Sequence, residues 1–168
     1  LHGNDFLAYK FVEGINIAQF LSSLSSKSNK KIPKNNEITI KTIKKIPKNN
    51  QKTLKNKKMI IKLIEKIMKQ LYIMDKLKTE KQEMSHPQKH IIIDKKNNPI
   101  LIDFERCKYT LKPGNVTQFC DFLISDNIIA ALKNYGININ KNELINAAML
   151  YKKHQNNKNF NGITKLVQ

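Results

Sequence analysis

Two acidic residues of this sequence lie where a carboxylate could take part in catalysis. Asp103 directly follows the apolar run at 100–102, so a buried strand would hold this carboxylate rigidly where the strand ends. A carboxylate fixed in this way is a good ligand for Mg²⁺, which binds oxygen donors. Glu83 lies in a polar loop, 81–90, where a carboxylate can orient a nucleophile or accept a hydroxyl proton. Phosphoryl transfer requires such groups, because it is catalysed mainly by positioning and charge neutralisation.

Simpler interpretations of the same residues stay open. Asp103 can cap a turn at the end of its strand, and Glu83 can be a solvated loop residue. His86 and His90 are four residues apart, a spacing that is typical of zinc ligands on a helix. Pro87 lies between them and argues against a helix at this point. No third zinc ligand is evident in the sequence.

The remaining reactive side chains give weaker signals. Arg106, the one arginine, could contact a phosphate or a carboxylate, or form an ordinary surface ion pair. Cys107 and Cys120 lack the spacing of a metal or redox motif, so we expect reduced thiols in or beside the core. Reduced cysteines, together with an N-terminus that shows no signal peptide, favour a cytoplasmic location. No apolar run approaches the roughly 18 residues of a membrane span, so we expect no membrane association.

The hydrophobic pattern predicts the elements that must position these residues. Apolar residues recur at three- and four-residue steps over 59–76, which predicts an amphipathic helix. Ile-rich triplets at 91–93 and 100–102, separated by an Asn-Asn-Pro turn, predict a β-hairpin beneath which this helix packs. Further helices are predicted over 117–123, over 128–135, and from a capping box at Asn140 to about His154. The predicted fold class is α+β, mostly α.

The N-terminal third of the chain divides into two parts. Residues 5–23 predict a short strand, a turn at Glu13-Gly14 and the start of a helix. Residues 24–58 are rich in Lys, Asn and Ser, and they contain the sequence KKIPKNN at 30–36 and again at 44–50. We interpret 24–58 as a low-complexity insertion that is dispensable for folding.

The net charge of +18 is concentrated in one part of the chain. Residues 24–81 hold 18 lysines and four acidic residues, so a contact with RNA or another polyanion through 24–58 is one hypothesis. Compositional bias is the alternative, because Lys, Ile and Asn all have A/T-rich codons. Of the 31 basic residues 30 are Lys, whereas base recognition and bidentate phosphate binding favour Arg.

Four segments, in this order, resemble the protein-kinase-like superfamily. FLAYKFVEG at 6–14 resembles the kinase hinge; the others are EMSHPQKHIII at 83–93, IDFERC at 102–107 and NVTQF at 115–119. The chain most resembles an archaeal group of predicted serine/threonine kinases related to the RIO and lipopolysaccharide-kinase-like families. The resemblance implies a kinase-like C-lobe over 59–168, with a small catalytic-loop β-hairpin, a hinge-like segment at 1–23 and a truncated N-lobe.

The resemblance also implies roles for individual residues. Asp103 matches the metal-binding Asp of the DFG motif, and Glu83 falls on the catalytic Asp of the HRD motif. His90 stands where the superfamily has a Mg²⁺-binding Asn, which makes His90 a second candidate metal ligand. Backbone groups of Lys10 and Val12 would contact the adenine of ATP. The implied cofactors are ATP and Mg²⁺, and the implied phosphate acceptor is a protein or a small molecule.

The sequence also departs from the kinase pattern. Glu83 replaces an Asp and precedes His90 by seven residues, where five are usual. A Gly-rich loop, the ATP-binding Lys and its partner Glu would precede the hinge, and we find none of them. The chain begins without Met, so we expect it to be part of a longer protein and inactive alone. A pseudokinase or scaffold, and a Lys-rich protein that binds RNA or another polyanion, are the alternative functions.

Overall fold

The computed structural model describes residues 12–26 and 48–168, which form helices and short strands. The strands are β1 (Gly14–Asn16), β2 (Thr79–Lys81), β3 (Ile91–Asp94), β4 (Pro99–Leu101) and β5 (Cys107–Tyr109). The helices are α1 (Ile17–Ser26), α2 (Lys48–Lys76), α3 (Asn115–Leu123), α4 (Asp126–Lys133), α5 (Lys141–Lys153) and α6 (Asn157–Lys165), with a 3-10 turn at Pro87–Lys89. The α+β, mostly helical class is therefore confirmed.

Two small antiparallel sheets flank the predicted polar loop. Strands β1, β3 and β4 form one sheet in that order, with Ile91 opposite Leu101 and Ile93 opposite Pro99. This pairing confirms the predicted hairpin. Strands β2 and β5 form the second sheet, in which Lys81 is opposite Cys107. The second sheet was not predicted, because neither Thr-Glu-Lys nor Cys-Lys-Tyr shows the alternation of a half-buried strand.

Gly14 begins strand β1 and is not part of the predicted turn. It pairs with Asp94, and a Cβ atom at this position would lie 2.4 Å from the carbonyl oxygen of Ile93 and 2.5 Å from Cγ2 of Ile92. The close approach of two strands therefore requires a glycine at this position. The sequence pattern alone does not distinguish such a glycine from one in a turn. The strand predicted before it lies outside the described residues, apart from Val12.

Helix α2 begins at Lys48, earlier than the predicted start at 59. The additional residues are Lys, Asn, Gln, Thr and Leu, which carry no apolar stripe but are compatible with an exposed helix. From Ile60 onward the apolar face is fully buried, as in Ile67 and Leu71. The helix packs against α3 and contacts the hairpin, where the Gln70 side-chain amide donates a 3.1 Å hydrogen bond to the carbonyl of Pro99. The predicted packing of helix and hairpin is thus confirmed.

The C-terminal helices complete a continuous apolar core. Oδ1 of Asn140 accepts hydrogen bonds from the main-chain N–H groups of Asn142 and Glu143, so the predicted start of α5 is confirmed. Helix α6 was not predicted, yet it buries Phe160, which stacks on Tyr72 with ring centroids 4.2 Å apart. Asn and Lys make up most of the sequence of α6, so its few apolar residues do not form a clear helical pattern from which the helix could be predicted.

Most of the insertion predicted at 24–58 lies outside the described residues, and the prediction about membrane spans can be compared only with the described ones. Residues 27–47, which include the first KKIPKNN copy and most of the second, lie outside the described residues. Within 12–26 and 48–168, no helix combines the length and the apolar character that are needed to cross a membrane.

Candidate functional site

The structure brings three of the predicted site residues together around one imidazole ring. Nε2 of His90 lies 3.1 Å from Oε2 of Glu83, and Nδ1 of His90 lies 3.2 Å from Oδ2 of Asp103. Glu83 comes from the loop after β2, His90 directly precedes β3, and Asp103 follows β4. The hairpin holds His90 close to Asp103, because the N–H of Ile102, the residue before Asp103, donates a 3.0 Å hydrogen bond to the carbonyl of His90.

Both carboxylates are presented from backbone in the left-handed region. The φ angle is 69° at Glu83 and 63° at Asp103. Non-glycine residues rarely adopt this conformation, which costs free energy and is concentrated at functional sites. The two side chains stay accessible, with 49% of Glu83 and 43% of Asp103 exposed, whereas the ring of His90 between them is buried. A ligand can therefore reach both carboxylates but not the imidazole.

Lys81 places a buried amine beside this cluster. Its Nζ donates a hydrogen bond to the main-chain carbonyl of Asp103, lies 3.5 Å from Nδ1 of His90, and sits 5.1 Å from the centroid of the Phe104 ring. Burial lowers the pKa of the Lys81 amine, and the nearby Asp103 carboxylate partly offsets this shift. Lys81 had not been predicted as a site residue. The sequence feature that could have identified Lys81 is its position in the segment 81–83, which matches the HRD triplet in the kinase resemblance.

Arg106 forms an exposed ion pair with a carboxylate of the candidate site. Its guanidinium lies 3.5 Å from Oε1 of Glu83, and both side chains are largely exposed. An exposed pair of this kind contributes little to stability. Arg106 contacts Oε1 of Glu83, and His90 contacts Oε2 of the same carboxylate, so both oxygens have partners.

A cavity of about 610 Å³ opens beside Asp103. Its volume is within the range of roughly 300–1,000 Å³ that is usual for small-molecule sites. Val12 and the segment 100–105 line it, so the apolar residues of β4 form a wall that leads to the carboxylate of Asp103. The structure thus places Val12 and Asp103 on one cavity. Lys10, the other predicted adenine contact, lies outside the described residues.

Helix α3 holds the loop that carries Glu83. Oδ1 of Asn115 accepts a 2.7 Å hydrogen bond from the N–H of Lys81, and Oε1 of Gln118 accepts a 2.9 Å hydrogen bond from the N–H of Met84. These two main-chain groups flank Glu83 in the chain. Sequence reasoning had assigned neither Asn115 nor Gln118 a role, although both lie in the NVTQF segment of the kinase resemblance.

The donor set at this site suits Mg²⁺ through Asp103. Mg²⁺ is usually bound by one or two carboxylates together with waters and substrate phosphates, and Asp103 offers an accessible carboxylate on the cavity. Among the residues that the structure describes, no group of three His, Cys, Asp or Glu side chains is arranged to hold a metal ion. His90 directs both ring nitrogens at carboxylates, so it could ligate a metal only by releasing one of them.

The same geometry bears on the zinc and cysteine hypotheses. Nδ1 of His86 lies 3.1 Å from the hydroxyl of Ser85, whereas His90 faces the two carboxylates, so the two imidazoles have separate partners. Cys107 and Cys120 are both free thiols, half-buried and buried respectively, as predicted. Burial raises the pKa of the Cys120 thiol to about 12, which keeps it protonated and unreactive at neutral pH.

Comparisons with protein-family models, with curated proteins and with solved structures find no match to this chain. The resemblance to protein kinases therefore stays a prediction.

Proposed function

We propose that this chain is the C-terminal lobe of an ATP-dependent phosphotransferase, a kinase-like protein that acts on serine or threonine hydroxyls. One observation carries the proposal. Glu83 and Asp103, from different loops, lie on either side of one buried imidazole, and Asp103 also lines a cavity of ligand size. One accessible carboxylate on such a cavity, with a second on the other side of the same imidazole, supplies the groups that phosphoryl transfer requires of a C-lobe. The free thiols agree with a cytoplasmic location.

The cavity supplies an apolar surface for the nucleotide. Ile100, Leu101 and Ile102 line it together with Val12, so an adenine ring would contact aliphatic side chains. The triphosphate would then extend toward Asp103, where this wall ends. Main-chain groups of the segment that contains Lys10 and Val12 would supply the hydrogen bonds to adenine.

Asp103 would bind the metal ion that neutralises the phosphates, and Lys81 would position Asp103. Mg²⁺, when bound with the nucleotide, neutralises phosphate charge, and Asp103 is the described residue best placed to hold it. The amine of Lys81 fixes the main chain of Asp103 by donating to its carbonyl. The direction of the carboxylate toward the cavity therefore depends on Lys81.

Glu83 would act on the phosphate acceptor. Its side chain is half-exposed, so the hydroxyl of a protein or small molecule can reach it from solvent. His90 and Arg106 hold one oxygen each, which fixes the orientation of the carboxylate. A carboxylate held in this way can orient the hydroxyl and accept its proton.

Binding of a nucleotide tests the proposal directly. We expect the chain to bind a non-hydrolysable ATP analogue in the presence of Mg²⁺, measured by isothermal titration calorimetry, and Asp103→Asn to weaken the Mg²⁺-dependent binding about tenfold or more. Asp126→Asn is the matched control, because Asp126 is exposed and forms a surface ion pair with Lys141, away from the candidate site. Equal affinities of the two variants and the original chain, with and without Mg²⁺, would contradict the proposal.

A pseudokinase is the second candidate, and the arrangement of His90 favours it. The imidazole occupies the space between Glu83 and Asp103 and contacts both carboxylates. A site in which this ring takes up the space of the metal would bind nucleotide without Mg²⁺. Nucleotide binding that is unchanged when Mg²⁺ is replaced by EDTA, yet is lost in a Val12→Glu variant of the cavity wall, would favour the pseudokinase.

A further inference from the structure

A second cavity, of about 290 Å³, is lined mainly by lysines. It lies beside the turn that joins β3 and β4, at the opposite end of the hairpin from Asp103. Three of its lysines belong to helix α2 and the fourth to the turn: Lys58, Lys62, Lys66 and Lys96. We call this cavity the lysine groove. It is independent of the candidate site and of the function proposed for that site.

The helical lysines of the groove belong to a longer row. Lys55, Lys58, Lys62, Lys66 and Lys69 follow one another at steps of three or four residues, which places them on one face of α2. The row spans about 21 Å, and steps of four residues rise about 6 Å. This rise is similar to the spacing of successive phosphates along an extended nucleic-acid strand.

The groove is held in shape by contacts between its two walls. Nζ of Lys66 donates a 2.6 Å hydrogen bond to Oδ1 of Asn98 in the turn. An ammonium group has three N–H donors, so Lys66 keeps two for a ligand. Leu63 is buried at the base of the groove and Met59 is half-buried, so lysine stems pack on an apolar floor.

Acidic side chains of the described residues offset little of the positive charge of the groove. Within residues 12–26 and 48–168, none of its four lysines forms a salt bridge. Asp94 lies beside the turn, and its carboxylate accepts hydrogen bonds from the main-chain N–H groups of Lys96 and Asn98. Glu65, also on α2, accepts a hydrogen bond from the side chain of Gln168. Four cations around one concave surface therefore favour an anion with regularly spaced charges.

We infer that the lysine groove binds the sugar-phosphate backbone of single-stranded nucleic acid without base specificity. Lysines act as point charges toward phosphates, and their row matches an extended strand. The described residues that line the groove include no arginine and no aromatic ring, the groups that recognise base edges or stack on bases. Because the cavity is small and lies between one helix and one turn, we expect it to bind a single strand more tightly than a duplex.

Fluorescence anisotropy with a labelled oligouridylate of about 20 nucleotides tests this inference on the whole chain, at salt concentrations between about 50 and 200 mM. In one variant all four groove lysines are replaced by glutamine. We expect its affinity to fall on the order of 10²-fold near 0.1 M salt, and the slope of log K against log salt to decrease by roughly 3. An oligothymidylate should bind with similar affinity, since the phosphates are shared.

The matched control removes the same charge elsewhere. It carries glutamine in place of four exposed lysines of α4, α5 and α6, namely Lys133, Lys153, Lys158 and Lys165. We expect the control to bind much more tightly than the groove variant. A double variant, Lys58→Gln with Lys62→Gln, leaves the Lys66–Asn98 contact intact and should lose about half of the slope change, which keeps the test valid if the fourfold variant unfolds.

Three outcomes would overturn the inference. Equal losses in the groove variant and the control would show that only net charge matters. Tighter binding of an RNA duplex than of the single strand would exclude the proposed fit. Binding of vesicles that contain phosphatidylserine, with no binding of the oligonucleotides, would identify an anionic membrane as the ligand.

Discussion

Asp75 and Asn115 form a buried pair that joins the end of helix α2 to the start of helix α3. Oδ1 of Asp75 accepts hydrogen bonds from the main-chain N–H of Asn115 at 3.1 Å and from its side-chain amide at 2.7 Å. Nδ2 of Asn115 also donates to the carbonyl of Thr79, and its Oδ1 accepts from the N–H of Lys81. One side chain therefore connects both helices to the strand that leads to Glu83.

Replacing this side chain should destabilise the protein. Asn115→Ala leaves the Lys81 N–H and the Asp75 carboxylate short of buried partners, so we expect the free energy of unfolding to fall by about 2–4 kcal/mol. Urea unfolding measures the change. Asn142→Ala is the control, because Asn142 is exposed on α5, and it should change the free energy by less than about 0.5 kcal/mol. Similar stabilities of the two variants would show that the buried pair does not hold the loop.

The stability of the protein should depend on pH through Asp75. Burial raises the pKa of this carboxyl above its ordinary value of 3.8, although hydrogen bonds from Tyr151 and Asn115 oppose the shift. Between 3.8 and the raised pKa, the folded protein holds a proton that the unfolded chain releases. The stabilising contribution of Asp75 is therefore fully present below pH 3.8 and is lost as the pH rises through the raised pKa.

The Asp75→Asn variant isolates this contribution, because its amide does not titrate. We expect the free energy of unfolding of the original chain, minus that of the variant, to decrease as the pH rises from about 4 to about 7, by about 1.4 kcal/mol for each unit by which the pKa is raised. Urea unfolding of both proteins across this range measures the difference. An increase with pH would mean that the hydrogen bonds outweigh burial.

Two glycines should respond in opposite directions to the same substitution. Gly14→Ala would place a Cβ 2.4 Å from the carbonyl oxygen of Ile93, so we expect β1 to separate from β3 and the free energy of unfolding to fall by about 1–3 kcal/mol. Gly162→Ala adds a methyl group to helix α6 with no atom within 4 Å, and should stabilise the protein by about 0.5–1 kcal/mol. Thermal unfolding measures both. A stable Gly14→Ala variant would contradict the close approach of β1 and β3.

The sequence predicted those parts of the fold in which a local pattern and the tertiary environment agree. The amphipathic face of α2, the Ile-rich hairpin and the capping box at Asn140 were all predicted, because each depends on residues within a few positions of one another. Strands β2 and β5 pair residues far apart in the chain and carry polar side chains, so neither strand was predicted. The close approach at Gly14 likewise depends on a distant strand.

In the candidate site, too, local features were predicted and contacts between distant segments were not. Asp103 was identified because it directly follows a predicted strand, and Glu83 because it lies in a polar loop that resembles the catalytic loop of kinases. The hydrogen bonds from Lys81 to Asp103 and to Asn115 join distant segments, so no spacing rule could have revealed them. The contacts of His90 with both carboxylates were also unpredicted, since the kinase resemblance implied only that His90 replaces a metal-binding Asn.

The last prediction concerns that position. His90→Asn replaces a ring that contacts both carboxylates with a shorter amide, which cannot span them and whose oxygen suits Mg²⁺ better than an imidazole nitrogen does. We expect Mg²⁺-dependent affinity for an ATP analogue, measured by calorimetry, to rise on the order of tenfold. The free energy of unfolding should fall by about 1–2 kcal/mol as the buried contacts are lost.

His86→Asn is the matched control for this prediction, because the His86 side chain is exposed and its ring contacts the neighbouring Ser85 hydroxyl, while the main-chain N–H that donates to Glu83 is unchanged by the substitution. It should change neither the affinity nor the stability. If His90→Asn instead abolished Mg²⁺-dependent binding while His86→Asn did not, the imidazole would itself be a metal ligand, as the kinase resemblance first implied. If both variants bound like the original chain, the His90 position would have no part in metal or nucleotide binding, and the contacts of His90 with Glu83 and Asp103 would serve the fold alone.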